Sequence, residues 1–176
     1  MNEFSITKAM VLEVTRETSK RMRLLKDQFI DGYDVHMSNK NLSEILSKVM
    51  EKVAADVFTK HLSHKVEKAT SDREPDLFFT KNKKPLEIKV TSTDTTWTGG
   101  EFSKRPFDYL LVSWSKNFDE FFVALTHLEK KDWTSRMSQS YYGPSFSVKN
   151  LIKKKDKEVF IGSFNEKGTK LIRERI

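Results

Sequence analysis

Cysteine is absent from the 176 residues of this chain. Its absence excludes a disulfide framework, a thiolate metal site and a cysteine nucleophile. It also fits a reducing compartment such as the cytoplasm, where disulfides are rare. Any metal site must therefore be built without thiolate ligands.

The chain also lacks any apolar run that approaches the ~20 residues needed to span a bilayer. Its first segment, MNEFSITKAMVLEVTRE, has early acidic residues and lacks the basic-then-apolar order of a signal peptide. Internal repeats and low-complexity segments are absent as well. We therefore expect a soluble protein with a single domain over residues 1–176, because domains commonly have about 100–200 residues.

Acidic residues are the minority charge, with 25 against 32 basic residues and a net charge of +7. An excess of positive charge favours a polyanionic partner such as nucleic acid. Many basic proteins bind no polyanion, so the identity of the partner must come from the motifs.

Two helices are predicted before the first strand. Residues 5–31 have a loose helical period, and Gly32-Tyr33-Asp34 predicts its end. Asn41, followed three residues later by Glu44, resembles a capping box and predicts the start of the second helix. From there the apolar residues follow a 3.6-residue period. They are Leu42, Ile45, Leu46, Val49, Met50, Val53, Val57, Phe58 and Leu62.

The pattern changes to short strands after Lys68. Strands rich in branched and aromatic residues are predicted at 77–80, 86–91, 109–114 and 121–125, with a fifth at 160–162. Residues 81–85 predict a turn between the first two. Helices followed by strands indicate an α/β or α+β domain, with a central mixed β-sheet flanked by helices.

The second predicted strand alternates cleanly between apolar and polar residues. Glu87 and Lys89 share one face, about 7 Å apart at ~3.3 Å per residue. Asp76 begins the preceding strand behind Pro75, and hairpin pairing would bring it beside Glu87, because paired strands lie about 4.8 Å apart. Taken singly, Glu-x-Lys on a strand is usually a solvated face and Pro-Asp a common turn. The joint pattern is what favours a site.

Two close carboxylates repel each other, and each raises the pKa of the other. A divalent cation such as Mg²⁺ relieves this repulsion by accepting oxygens from both. An adjacent ammonium, here Lys89, can orient an attacking water or neutralise charge that builds on a phosphate. This set of groups suits the metal-dependent hydrolysis of a phosphodiester.

With Pro75-Asp76 and Glu87-Ile88-Lys89 on a helix–strand–strand frame, the sequence resembles the PD-(D/E)XK nuclease superfamily, and within it the type II restriction endonucleases. The resemblance covers roughly residues 41–125, the expected catalytic core. It implies a restriction-endonuclease-like core in which Asp76 and Glu87 are ligands of Mg²⁺, with Mn²⁺ as an alternative cation. It further implies that Lys89 is the catalytic lysine and that the backbone carbonyl of Ile88 is another ligand.

Members of this family often add a glutamate from the preceding helix. Glu44 is one candidate for that catalytic role and Glu51 is the other. They lie seven residues apart, or about 10 Å along a helix axis at 1.5 Å per residue, so we expect only one of them to reach the site. Glu44 has a competing explanation as the capping partner of Asn41, and Glu51 could equally be an ordinary surface residue.

The resemblance also implies partners. Double-stranded DNA would be the substrate, and a homodimer would supply the two active sites that cutting both strands requires. The N-terminal helix or the C-terminal segment could form the dimer interface or contact DNA. A restriction role implies a companion DNA methyltransferase and the cytoplasm of a prokaryote.

DNA contacts are expected first in the loop after Lys89. Small hydroxyls, Gly99 and Gly100, a tryptophan and a basic pair suit a loop that approaches a phosphate backbone closely, although a flexible surface loop has the same composition. Later residues with suitable hydrogen-bonding groups could read bases or phosphates. The predicted DNA-binding residues are Thr91, Ser92, Thr93, Trp97, Lys104, Arg105, Arg136 and Lys149.

Two other functions remain open on the residues alone. The first is a structure-specific nuclease, such as a junction resolvase or repair nuclease, with the same catalytic core and no sequence preference. The second is a basic DNA-binding module without catalysis. A histidine-based HNH nuclease finds no support, because the four histidines have no recognisable ligand spacing.

Overall fold

The computed structural model describes residues 4–71, 73–92, 96–115, 117–138, 141–153, 158–165 and 168–174. The chain forms a mixed α/β fold, and a mixed sheet with helices packed against it confirms the predicted α+β class. None of the described helices is both long and apolar enough to cross a membrane.

The helices are α1 (Lys8–Leu25), α2 (Asn39–Leu62) and the short α3 (Val148–Lys153), and α1 continues as a π-helical turn over Lys26–Asp31.

The cap of α2 differs from the prediction. Ser38 is the N-cap, and its hydroxyl accepts a hydrogen bond from the Asn41 N–H at 3.2 Å. The predicted Asn41–Glu44 capping box is therefore wrong, because both residues already lie inside the helix.

In chain order the strands are β1 (Val66–Lys68), β2 (Leu77–Phe79), β3 (Lys84–Thr91), β4 (Thr96–Thr98), β5 (Phe107–Trp114), β6 (Glu120–Leu128), β7 (Thr134–Ser138), β8 (Tyr141–Ser147), β9 (Glu158–Asn165) and β10 (Gly168–Glu174). Seven of them form the main sheet, in the order β1-β2-β3-β5-β6-β9-β10. Among the described strand pairs of this sheet, β3–β5 is parallel and the others are antiparallel. A second sheet has the order β4-β8-β7.

The main sheet separates two apolar clusters. On one face, α1 and α2 contribute residues such as Leu46 and Met50, which pack with Leu86 and Ile88 of β3. On the other face, Tyr109 of β5 packs with aromatic residues from the second sheet and the loops around it. β3 therefore runs through the interior. Its polar side chains Glu87 and Lys89 follow Leu86, the residue that pairs with the first residue of β2.

Candidate active site

The β2–β3 hairpin places Asp76 beside Glu87. Leu77 pairs with Leu86 in this hairpin, and β2 begins only at Leu77. Asp76 therefore lies next to β3 without pairing in the sheet. Its Oδ2 accepts the Ile88 N–H at 2.8 Å, and its own N–H donates to Glu87 Oε2 at 3.4 Å. These contacts fix the Asp76 carboxylate against the open edge of β3.

Glu87 and Lys89 leave β3 on the same face, as the alternation predicts. Leu86 and Ile88 point to the other face and join the core beneath α2. The Lys89 ammonium donates to Glu87 Oε1 at 2.5 Å. Glu87 is only 5% exposed, so its charge lies close to the protein interior. The structure thus brings Asp76, Glu87 and Lys89 into one cluster.

The carboxyl group of Asp76 is strongly perturbed. Burial, the negative charge of Glu87 and, to a smaller extent, that of Glu51 together raise the pKa of Asp76 to about 7. The Ile88 N–H and the Lys89 ammonium act in the opposite direction but do not compensate. At neutral pH the protein therefore holds two adjacent carboxyl groups of which one resists ionisation.

The cluster opens into a cleft of about 360 Å³, here called the Asp76 cleft. Its charged lining residues are Lys48, Lys68, Glu74, Asp76, Glu87 and Lys89. The loop that leads to Asp76 is braced, because the Glu74 carboxylate accepts the N–H and hydroxyl of Thr70, both at 2.9 Å.

Of the two predicted helical glutamates, Glu51 lies near the cluster, and the geometry does not support the predicted catalytic role of Glu44. Glu51 is 1% exposed and is close enough to influence the pKa of Asp76. The side chain of Glu44 is 68% exposed, lies 3.9 Å from Lys40 and lines a different groove with Arg21. Glu44 lies in the first two turns of α2 and does not line the Asp76 cleft.

The oxygen donors of the Asp76 cleft fit a small hard cation. The Asp76 and Glu87 carboxylates meet at one edge of β3. Because the N–H and C=O of one strand residue face the same neighbouring strand, the Ile88 carbonyl faces that edge too. Mg²⁺ commonly takes one or two carboxylates and completes its shell with waters and phosphate oxygens. Across the described part of the chain, no group of three or more His, Asp or Glu side chains converges on a metal position.

The predicted DNA-contact residues are placed less uniformly. Thr91 and Ser92 are half-buried directly after Lys89, whereas Thr93 lies outside the described residues. Trp97 is fully buried, and its indole N–H donates to the Val112 carbonyl at 2.8 Å. Trp97 is therefore a core residue, and the prediction that it contacts DNA is not supported.

The basic residues after Trp97 are exposed. Lys104 pairs with Glu101 at 2.7 Å, and the Arg105 guanidinium lies over the rings of Phe102 and Phe107 at 5.4 and 5.6 Å. Lys149 is exposed on α3, and the side chain of Arg136 lies outside the described residues. Arg105 is therefore an exposed guanidinium that lies near two aromatic rings.

Two lysines of the Asp76 cleft were missed by the sequence analysis. Lys48 lies one helical turn before Glu51, and this i,i+3 spacing is a signal that could have paired them. Lys68 lies on β1, where nothing in the local pattern marks it, because its position depends on the packing of β1 against α2.

The interpretation of this site depends on its geometry alone. No protein-family model matches the chain, and no curated protein has significant sequence similarity to it.

Proposed function

We propose that this chain is a Mg²⁺-dependent endonuclease of the PD-(D/E)XK type that hydrolyses phosphodiester bonds of double-stranded DNA, and that it acts as a type II restriction endonuclease at a short specific sequence. The observation that carries the proposal is the meeting of Asp76, Glu87 and Lys89 in one cleft beside β3, just before β2 begins.

Electrostatics favours a divalent cation in the Asp76 cleft. The pKa of Asp76 is raised to about 7 because a buried carboxyl lies beside Glu87. A cation that takes an oxygen from each residue would let both ionise. When bound, Mg²⁺ activates a water and polarises a phosphoryl oxygen.

The residues of the chain have separate tasks in this proposal. The Ile88 N–H holds Asp76 in place, and Glu87 holds the Lys89 ammonium at the cleft. Lys89 is 23% exposed, so its ammonium can meet a substrate while remaining fixed by Glu87. There it would orient the attacking water and offset the negative charge that grows on the phosphate.

The positive charge of the chain suits a polyanion such as DNA. The net charge of +7 favours a phosphate backbone, and the exposed Arg105 and Lys149 add positive charge outside the cleft. A homodimer on a palindromic site would place one Asp76 cleft at each strand. A DNA methyltransferase would then protect the host's own sites.

The first test is digestion of unmethylated plasmid and phage DNA with Mg²⁺, with Ca²⁺ and chelator as controls. We expect discrete fragments with Mg²⁺ and a loss of cutting of at least about 100-fold in Lys89→Ala, because the variant lacks the charge that stabilises the transition state. Lys81→Ala is the matched control, since it removes the same charge from the exposed turn before β3 and should cut normally.

Other outcomes would replace the proposal. Cutting confined to branched DNA, or a smear without discrete bands, would indicate a structure-specific or nonspecific nuclease. DNA binding without any cutting, unchanged in Lys89→Ala, would indicate a noncatalytic DNA-binding module.

A further inference from the structure

A buried carboxylate ties two lysines to the wall of the Asp76 cleft. Glu51 of α2 is 1% exposed. Lys48 lies 3.1 Å from Glu51 Oε1 and donates to Oε2 at 3.2 Å, while Lys68 of β1 lies 3.6 Å from the same Oε2. Ser47 donates to Oε1 at 3.3 Å. Both lysines line the Asp76 cleft.

This arrangement is unusual for a surface ion pair. Lysines at a surface usually pair with exposed acids, as Lys52 does with Asp56 and Lys65 with Glu67, whereas Glu51 is buried. Burying a charge such as Glu51 is unfavourable unless it is well paired. The attraction between Glu51 and its lysines is therefore largely offset by the cost of desolvating the buried carboxylate. The main effect of the cluster is to hold two otherwise flexible ammonium groups in place.

We propose that Lys48 and Lys68 form a subsite for a DNA backbone phosphate next to the one that is cut, and that Glu51 is the positioning residue of this subsite. The inference rests on the proposed function, because it takes DNA as the ligand of the Asp76 cleft. It differs from the role expected of a helical glutamate, since Glu51 acts here on lysines and not on the metal.

Three observations support the phosphate as ligand. The two ammonium groups contact one carboxylate oxygen, so they lie close enough for a single phosphate group to contact both. Lys68 contacts Glu51 only at ion-pair distance, which leaves its N–H donors available to a phosphate oxygen. The subsite shares one cleft with Lys89, as neighbouring phosphates of one strand require.

The experiment measures binding of a short fluorescein-labelled DNA duplex by anisotropy, in chelator and over a range of salt concentrations. Lys68→Met and Lys48→Met keep much of the apolar stem and remove the charge. Each should bind about tenfold more weakly, as expected for one lost charge-assisted hydrogen bond. The slope of log affinity against log salt should become shallower by about 0.9, which corresponds to one phosphate contact.

Lys52→Met and Lys65→Met are the matched controls, because each removes one lysine near the subsite that pairs at the surface. Both should stay within about twofold of wild type, since surface pairs contribute little. Lys68→Arg should restore most of the affinity. Subsite variants that bind like these controls would overturn the proposal.

Glu51→Gln separates a positioning residue from a metal ligand. If Glu51 is a positioning residue, the variant should bind the duplex severalfold more weakly in chelator. The Mg²⁺ concentration for half-maximal cutting should stay unchanged. A raised Mg²⁺ requirement with unchanged binding would overturn the positioning role. If Glu51→Gln does not fold, as judged by its melting curve, Lys68→Met and its control still decide the proposal.

The subsite and the nuclease proposal can fail separately. Weakened binding in the subsite variants, in a protein that cuts no DNA, would support the phosphate subsite and contradict the nuclease. Normal Mg²⁺-dependent cutting with unchanged binding in the same variants would support the nuclease and contradict the phosphate subsite.

Discussion

Asp76 is the residue whose ionisation depends most visibly on its surroundings. Its pKa is raised from 3.8 to about 7, so between these values the folded protein binds more protons at this group than the unfolded chain does. Because proton binding is linked to stability, the contribution of Asp76 to the free energy of unfolding is largest below about pH 4. It declines as the pH rises to about 7.

Asp76→Asn should remove this decline in the metal-free protein. Relative to wild type, we expect the variant to gain stability on the order of 2 kcal/mol between pH 4 and pH 8, a value reduced for partial solvent screening. Urea denaturation in chelator across this pH range measures the difference. Asp27→Asn, at an exposed position, is the control for the loss of one carboxylate. A flat difference for Asp76→Asn would contradict the raised pKa.

Two adjacent glycines should respond very differently to alanine. A Cβ at Gly99 would lie 2.7 Å from Ser103 Cβ and 3.0 Å from the Trp133 ring, whereas a Cβ at Gly100 would meet only Lys89 Nζ, at 3.8 Å. We expect Gly99→Ala to lower the free energy of unfolding by roughly 1–3 kcal/mol, because overpacking forces its neighbours to move. Chemical denaturation checks this value. Gly100→Ala is the matched control, and equal losses at both positions would contradict the packing described around Gly99.

At this scale the sequence analysis worked where contacts are local. Asp76, Glu87 and Lys89 lie on one hairpin, so strand alternation and pairing suffice to bring them together. The prediction that Trp97 contacts DNA is not supported, for a nonlocal reason. The burial of Trp97 depends on β8, which follows far along the chain. Loop composition cannot show that a later strand will cover a tryptophan.

Among the elements, α2 depends on a cap that the apolar pattern does not reveal. The Ser38 hydroxyl takes the Asn41 N–H, and Glu44 has no capping role. Ser38→Ala should therefore lower the free energy of unfolding by about 1 kcal/mol. Thermal or urea denaturation measures this loss. Glu44→Ala should stay within about 0.5 kcal/mol of wild type, as for other surface substitutions, and the reverse order would restore the predicted capping box.

The strength of a repeating pattern decides which elements can be predicted. The long apolar stripe of α2 has a clear period, and β5 and β6 are runs dense in aromatic and branched residues; all three are found. β1 and β4 have three residues each, too few for any period to emerge. They exist because α2 and β8 pack or pair with them, and this information is not local in the sequence.

At the scale of the whole molecule, the proposed dimer makes a distinct kinetic prediction. If each protomer cuts one strand, a mixed dimer of wild type and Lys89→Ala should nick a supercoiled plasmid without linearising it. Refolding the two chains together at equal amounts should give nicked circles in clear excess over the wild-type digest, as read from an agarose gel. Linear product at the full rate would contradict one active site per strand.

The division of the molecule by its main sheet also distributes its three tryptophans. Trp114 lies in the helical cluster, stacked on Phe118 at 4.6 Å, whereas Trp97 and Trp133 lie in the cluster on the opposite side. Each side of the sheet thus has its own intrinsic fluorophore. A Trp114→Phe protein would report only the side of the second sheet, so optical spectroscopy without labels could show whether the two halves of the core melt together or in succession.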